Sequence, residues 1–133
     1  MKEDYVSFEV AKLLKEKGFN ESCDNYYDQS SDEPQQLTLD EMYYSYDEFI
    51  KAPTHQMACK WLRKEHNLYV SPKYRCFCGS KKNDKPYYKW EDRVLKLPSN
   101  NQIHPQIYGI HEYYETYEEA VEAALKYSLK NLF

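Results

Sequence analysis

Apolar residues recur at helical spacing in three stretches of the chain. In residues 7–17, Val10, Leu13 and Leu14 fall at i, i+3 and i+4, so they form one stripe and predict a helix. Ser7 is a suitable N-cap, and Gly18 can take the left-handed conformation that ends a helix, with Phe19 closing the cap. In residues 54–65, Met57, Ala58, Trp61 and Leu62 make an apolar face, while Lys60, Arg63 and Lys64 lie opposite. Pro53 and Thr54 start this second helix, and His66 and Asn67 end it. The last stretch begins at Thr116, with Glu119 placed to complete a capping box. Tyr117, Ala120, Val121, Ala124, Leu125, Ser128 and Leu132 would line its core side. Its acids come first and Lys126 and Lys130 last, which complements the helix dipole.

The middle of the chain changes period. Residues 68–78 read as a strand, with Leu68, Val70, Tyr74, Cys76 and Cys78 on one parity. Pro72 shares that parity and argues for an edge strand or a bulge. Residues 79–86 are turn-like, residues 87–97 read as a returning strand, and residues 107–110 as a short third one. Residues 20–37 predict an extended loop pinned by Tyr26 and Tyr27. Thr38 to Glu41 has capping-box form, so a short helix over 39–49 competes with irregular structure there. The expected fold class is α+β, with three helices packed on one face of a small two- or three-stranded antiparallel sheet. The expected organisation is one domain over residues 1–133, with residues 20–50 as an acidic, Tyr-rich, loop-like insertion.

Composition alters how that core is filled. Of 133 residues, 15 are Tyr, and Leu, Ile, Val and Phe together number only 25. So poor an aliphatic supply would suggest disorder, but the net charge is only −4 and aromatics reach 17%, which excludes it for the chain as a whole. Aromatic rings must therefore complete the core or build a surface, and the Tyr pairs 26–27, 43–44 and 87–88 are the places to look for exposure. The net charge conceals a segregation. Residues 1–55 hold 13 acids and 5 bases, residues 56–110 hold 4 acids and 11 bases, and residues 20–49 hold nine acids and no base. Either the acidic part neutralises the basic part internally, or each faces a different partner.

Several function classes drop out. No apolar run approaches the length of a membrane span, and no apolar segment follows Met1-Lys2-Glu3-Asp4, so a cytoplasmic chain with reduced Cys23, Cys59, Cys76 and Cys78 is expected. The three glycines are too dispersed for a phosphate-cradling loop. Cys76 and Cys78 would share a strand face, but a single C-x-C with scattered histidines is a poor zinc donor set, so neither metal nor cofactor is expected. His104-Pro105 and His111-Glu112 carry no spacing that forces an acid–base pair, so no catalytic residue is assigned. The hairpin is the best binding candidate: Tyr74, Arg75, Lys81, Lys82, Lys85, Tyr87, Tyr88, Lys89, Trp90 and Arg93 mix cations that attract phosphates with rings that stack on bases. The plainer reading is rings packed on helices, with lysines protecting a sheet edge.

Three segments carry a resemblance: residues 5–19 (Tyr-Val-Ser-Phe-Glu-Val-Ala-Lys-Leu-Leu-Lys-Glu-Lys-Gly-Phe), residues 52–67 (Ala52-Pro53-Thr54 through His66-Asn67) and residues 117–125 (Tyr117 through Leu125). Together they resemble a family of small uncharacterised proteins of gut-bacteroidete phages, prophages and mobile elements. The matched positions are mostly caps and apolar faces. The resemblance implies a phage-type accessory protein of the cytoplasm and transfers no catalytic residue. The expected function is non-enzymatic binding of a host protein or small ligand. The alternative is nucleic-acid binding through the hairpin at residues 69–93. No membrane partner is expected.

Overall fold

The computed structural model describes residues 4–28, 34–36, 49–77, 86–97, 104, 106–110 and 112–133. The fold is α+β. Its three described helices are α1 (Phe8–Glu16), α2 (His55–His66) and α3 (Tyr117–Asn131). Each starts at the cap its sequence predicts. The backbone N–H of Val10 donates to Ser7 Oγ at 3.2 Å, that of Met57 to Thr54 Oγ1 at 3.2 Å, and that of Glu119 to Thr116 Oγ1 at 3.1 Å. Each cap satisfies a helix-end donor and is worth about 1 kcal/mol. At the end of α1, Phe19 N donates to the Leu14 carbonyl and Gly18 N to that of Lys15, with Gly18 at φ 93°. This is a Schellman stop, and it turns Phe19 back into the core. Asn67 ends α2 in the left-handed conformation, φ 55°.

The strands are more numerous than the sequence predicts. Among the described residues they form three separate three-stranded antiparallel sheets. The first joins β1 (Asn25–Asp28), β2 (Pro34–Gln36) and β3 (Phe49–Lys51) in the order β2-β1-β3. The second joins β4 (Leu68–Val70), β7 (Val94–Lys96) and β8 (Gln106–Tyr108) in the order β4-β7-β8. The third joins β5 (Lys73–Phe77), β6 (Tyr87–Glu91) and β9 (Tyr113–Tyr114) in the order β5-β6-β9.

The predicted hairpin is present, but it is broken in the middle. Leu68–Val70 pairs with Val94–Lys96, and Lys73–Phe77 pairs with Tyr87–Glu91. At the break, Pro72 on one arm and Asp92-Arg93 on the other leave the ladder, and one hairpin feeds two sheets. Ser71 N still donates to the Arg93 carbonyl at 2.8 Å, and Arg93 Nε donates back to the Ser71 carbonyl at 3.0 Å.

The predicted loop at 20–37 is corrected. Tyr26 and Tyr27 lie in β1, are 7% and 4% exposed, and Tyr27 belongs to the core. The predicted helix over 39–49 lies largely outside the described residues, and Phe49, its last residue, starts β3. The core gathers Val6, Val10 and Leu14, then Ala58, Trp61 and Leu62, then Val121, Ala124, Leu125 and Leu129. Leu68 and Val94 close it from β4 and β7. Helix α3 packs against α1 and α2 and also meets β4, β6 and β9. Tyr117 was expected on its core side but is 46% exposed, and Leu129 fills the apolar stripe instead.

Candidate binding surface

Strand period decides what the β5–β6 hairpin presents. Directly opposed residues of an antiparallel pair share a face. The register pairs Tyr74 with Trp90, Cys76 with Tyr88, and Trp90 with Tyr114. One face therefore carries Tyr74, Cys76, Tyr88, Trp90 and Tyr114, none of them charged. The other pairs place Lys73, Arg75, Phe77, Tyr87, Lys89, Glu91 and Tyr113 on the reverse face. Cations and rings that alternate in sequence are thus separated in space.

On the uncharged face the rings touch in series. Tyr88 and Tyr74 stack at 5.3 Å between centroids with planes 10° apart. Tyr74 leans on Trp90 at 4.7 Å, and Trp90 meets Tyr117 edge-on at 5.0 Å. Tyr74 is 53% exposed and Tyr88 51%. These four rings form a strip running from the sheet onto the first turn of α3, with Cys76 exposed beside it. At its inner end burial is greater: desolvation, then the charges of Asp92 and Glu112, push the Tyr114 phenol up to about 12.

The cations of the reverse face are largely engaged. Arg75 Nε donates to the buried Glu91 carboxylate, and that bond holds the guanidinium pKa above its ordinary value. Lys89 pairs with Glu115 at 3.0 Å and lies 5.9 Å from the Tyr87 ring centroid. Arg93 is spent on Ser71. Phe77 stacks on Tyr87 at 5.1 Å and meets Tyr113 edge-on at 4.8 Å. Of the ten residues predicted to bind, seven are placed. Tyr74, Tyr88 and Trp90 come together, Tyr87, Lys89 and Arg75 share the opposite face, and Arg93 sits at the break. Lys81, Lys82 and Lys85 lie outside the described residues.

Sequence reasoning missed one polar constellation. His55 on α2 faces Glu122 on α3, with Nε2 3.5 Å from Oε1. The same carboxylate accepts the Ser7 backbone N–H, so Glu122 ties the start of α1 to α2. His55 lines a cleft of about 560 Å³ together with Cys59 and Arg63. Burial pushes the Cys59 thiol up to about 11, so it stays protonated near neutral pH. No spacing in the sequence points to a contact between residues 55 and 122. Of the pairs that were weighed instead, His104 is exposed, while Pro105 and His111 lie outside the described residues.

Among the described residues no three His, Cys, Asp or Glu side chains converge to hold a metal, and Cys78 is not among them. Nor is any helix long and apolar enough to cross a membrane among those residues. Compared with protein-family models, curated proteins and solved structures, the chain matches none.

Proposed function

We propose that this chain is a non-enzymatic binding protein that engages a partner protein through the Tyr88–Tyr74–Trp90–Tyr117 strip. In this reading it is a phage-type accessory protein acting in the cytoplasm on a host protein. The observation that carries the reading is a run of four contiguous rings on a face whose strand positions bear no charge. Tyr and Trp bury large area at small entropic cost and are enriched where interfaces concentrate their energy. The opposite face favours a protein over a nucleic acid as partner, because two of its three described cations, Arg75 and Lys89, already have carboxylate partners. Phosphates would also meet no cation from the described strands on the face where bases would stack.

The test is affinity capture from host lysate with wild-type protein and with Tyr74→Ser/Tyr88→Ser, each with and without nuclease. A specific protein that survives nuclease and is lost with the double variant is the expected result. Nuclease-sensitive capture would transfer the strip to the nucleic-acid reading.

A further inference from the structure

A second concavity lies between α1 and the β2-β1-β3 sheet. It is a cavity of about 300 Å³, near the lower end of the range for small-molecule sites. Its apolar lining comes from Ala11, Phe19, Tyr26 and Phe49. Ala11, Phe19 and Tyr26 are buried and Phe49 is half-buried, so these rings are held by the fold. Its polar lining is Asn20 and two lysines, exposed Lys15 near the end of α1 and half-buried Lys51 in β3.

Neither lysine is neutralised by a carboxylate among the described residues. Lys51 Nζ donates to Asn20 Oδ1 at 3.3 Å and to the Glu21 carbonyl at 2.9 Å, and both acceptors are neutral. The carboxylates of Glu21 and Asp24, close in sequence, do not pair with it. Among the described residues Lys15 has no ion-pair or hydrogen-bond partner for its side chain. On α3, by contrast, Lys126 and Lys130 both pair with Glu9. An apolar pocket lined by two lysines that no described carboxylate neutralises is complementary to a ligand with one anionic end and one apolar end.

We infer that this pocket is a binding site for a small apolar monocarboxylate, its body among Phe19, Tyr26 and Phe49 and its carboxylate between Lys15 and Lys51. The volume suits a medium-chain or single-ring acid. Because the strip contributes no residue to it, the inference stands apart from the proposed protein-binding role.

The experiment is calorimetric titration with octanoate, with octanol and octylammonium as neutral and cationic probes of the same length. Octanoate should bind saturably with Kd below about 1 mM, and octanol at least about tenfold more weakly. Lys15→Glu, at an exposed position, should weaken octanoate about fivefold or more without changing octanol binding or Tm, and Lys15→Arg should retain affinity. Lys51→Gln should act in the same direction, and Tyr74→Ser/Tyr88→Ser should leave octanoate affinity unchanged. Equal affinity for the three probes, indifference to both Lys15→Glu and Lys51→Gln, or no saturable binding up to about 10 mM would overturn the inference.

Discussion

Asp92 is fully buried, and both of its carboxylate oxygens accept backbone hydrogen bonds, from Ile110 N at 2.8 Å and from Glu112 N at 3.0 Å. It thereby replaces the ladder that the hairpin loses at its break. Asp92→Ala would leave two part-buried donors without their acceptor and should cost about 2 kcal/mol, read as a lower urea midpoint with unchanged m-value. Gly109 belongs to the same device. Its φ of 154° lies outside the range side chains favour, and a Cβ there would sit 2.7 Å from the Asp92 carbonyl oxygen. Gly109→Ala should therefore destabilise by about 2 kcal/mol in the same assay. Tyr27 is a third point of this kind: its hydroxyl donates to the Val6 carbonyl at 2.6 Å inside the core. Tyr27→Phe removes that donor and should cost about 1 kcal/mol.

At the scale of elements, the helices were readable because each announces itself locally. Ser7, Thr54 and Thr116 cap, Gly18 and Asn67 stop, and the apolar residues repeat at one period. The strands were only partly readable. The hairpin showed through its alternation, but the break at Ser71-Pro72 and Asp92-Arg93 depends on partners that come from residues 110 and 112. Strand β1 was missed because its sequence is acidic and polar, and what makes it a strand is pairing with β3, some 25 positions away. The binding candidate was half readable: period 2 predicts two faces, but only the register shows that the cations fall on one and the Tyr–Trp strip on the other. The lysine-lined pocket left no trace in the sequence, since its lining comes from α1, the turn after it, β1 and β3. The burial of Tyr27 and the pairing of β1 with β3 have a direct consequence. Deleting residues 24–36 should abolish cooperative thermal unfolding rather than leave it intact, as a solvated loop would.

At the scale of the molecule, charge pairing can be followed through the described residues. Among the described residues, ion pairs join α1 to α3 through Glu9, and the hairpin to itself and to Glu115. None reaches the acidic stretch at residues 20–28. Alkaline stability follows from burial of weak acids. Desolvation pushes Cys23 and Cys59 up to about 11 and Tyr114 up to about 12, against ordinary values of 9.0 and 10.0. The unfolded chain therefore loses these protons first. Their contribution is whole below about pH 9 and is lost as pH rises toward about 12, so the urea midpoint should fall across that window. Thiol titration at pH 8 should find Cys76 reacting well ahead of Cys23 and Cys59, because it is exposed and they are burial-suppressed.

The placement of the two tryptophans divides the optical signal of the molecule. Trp61 is 6% exposed and packed among Phe19, His66 and Phe133, whereas Trp90 is half-buried in the middle of the aromatic strip. Emission from Trp61 should be blue-shifted and shielded from iodide, and it should change only when the core melts. Emission from Trp90 should be quenchable and should respond when something covers the strip. In a Trp61→Phe background the protein would carry a single, built-in fluorophore at the surface proposed to bind, so that association and unfolding could be followed separately without attaching a dye.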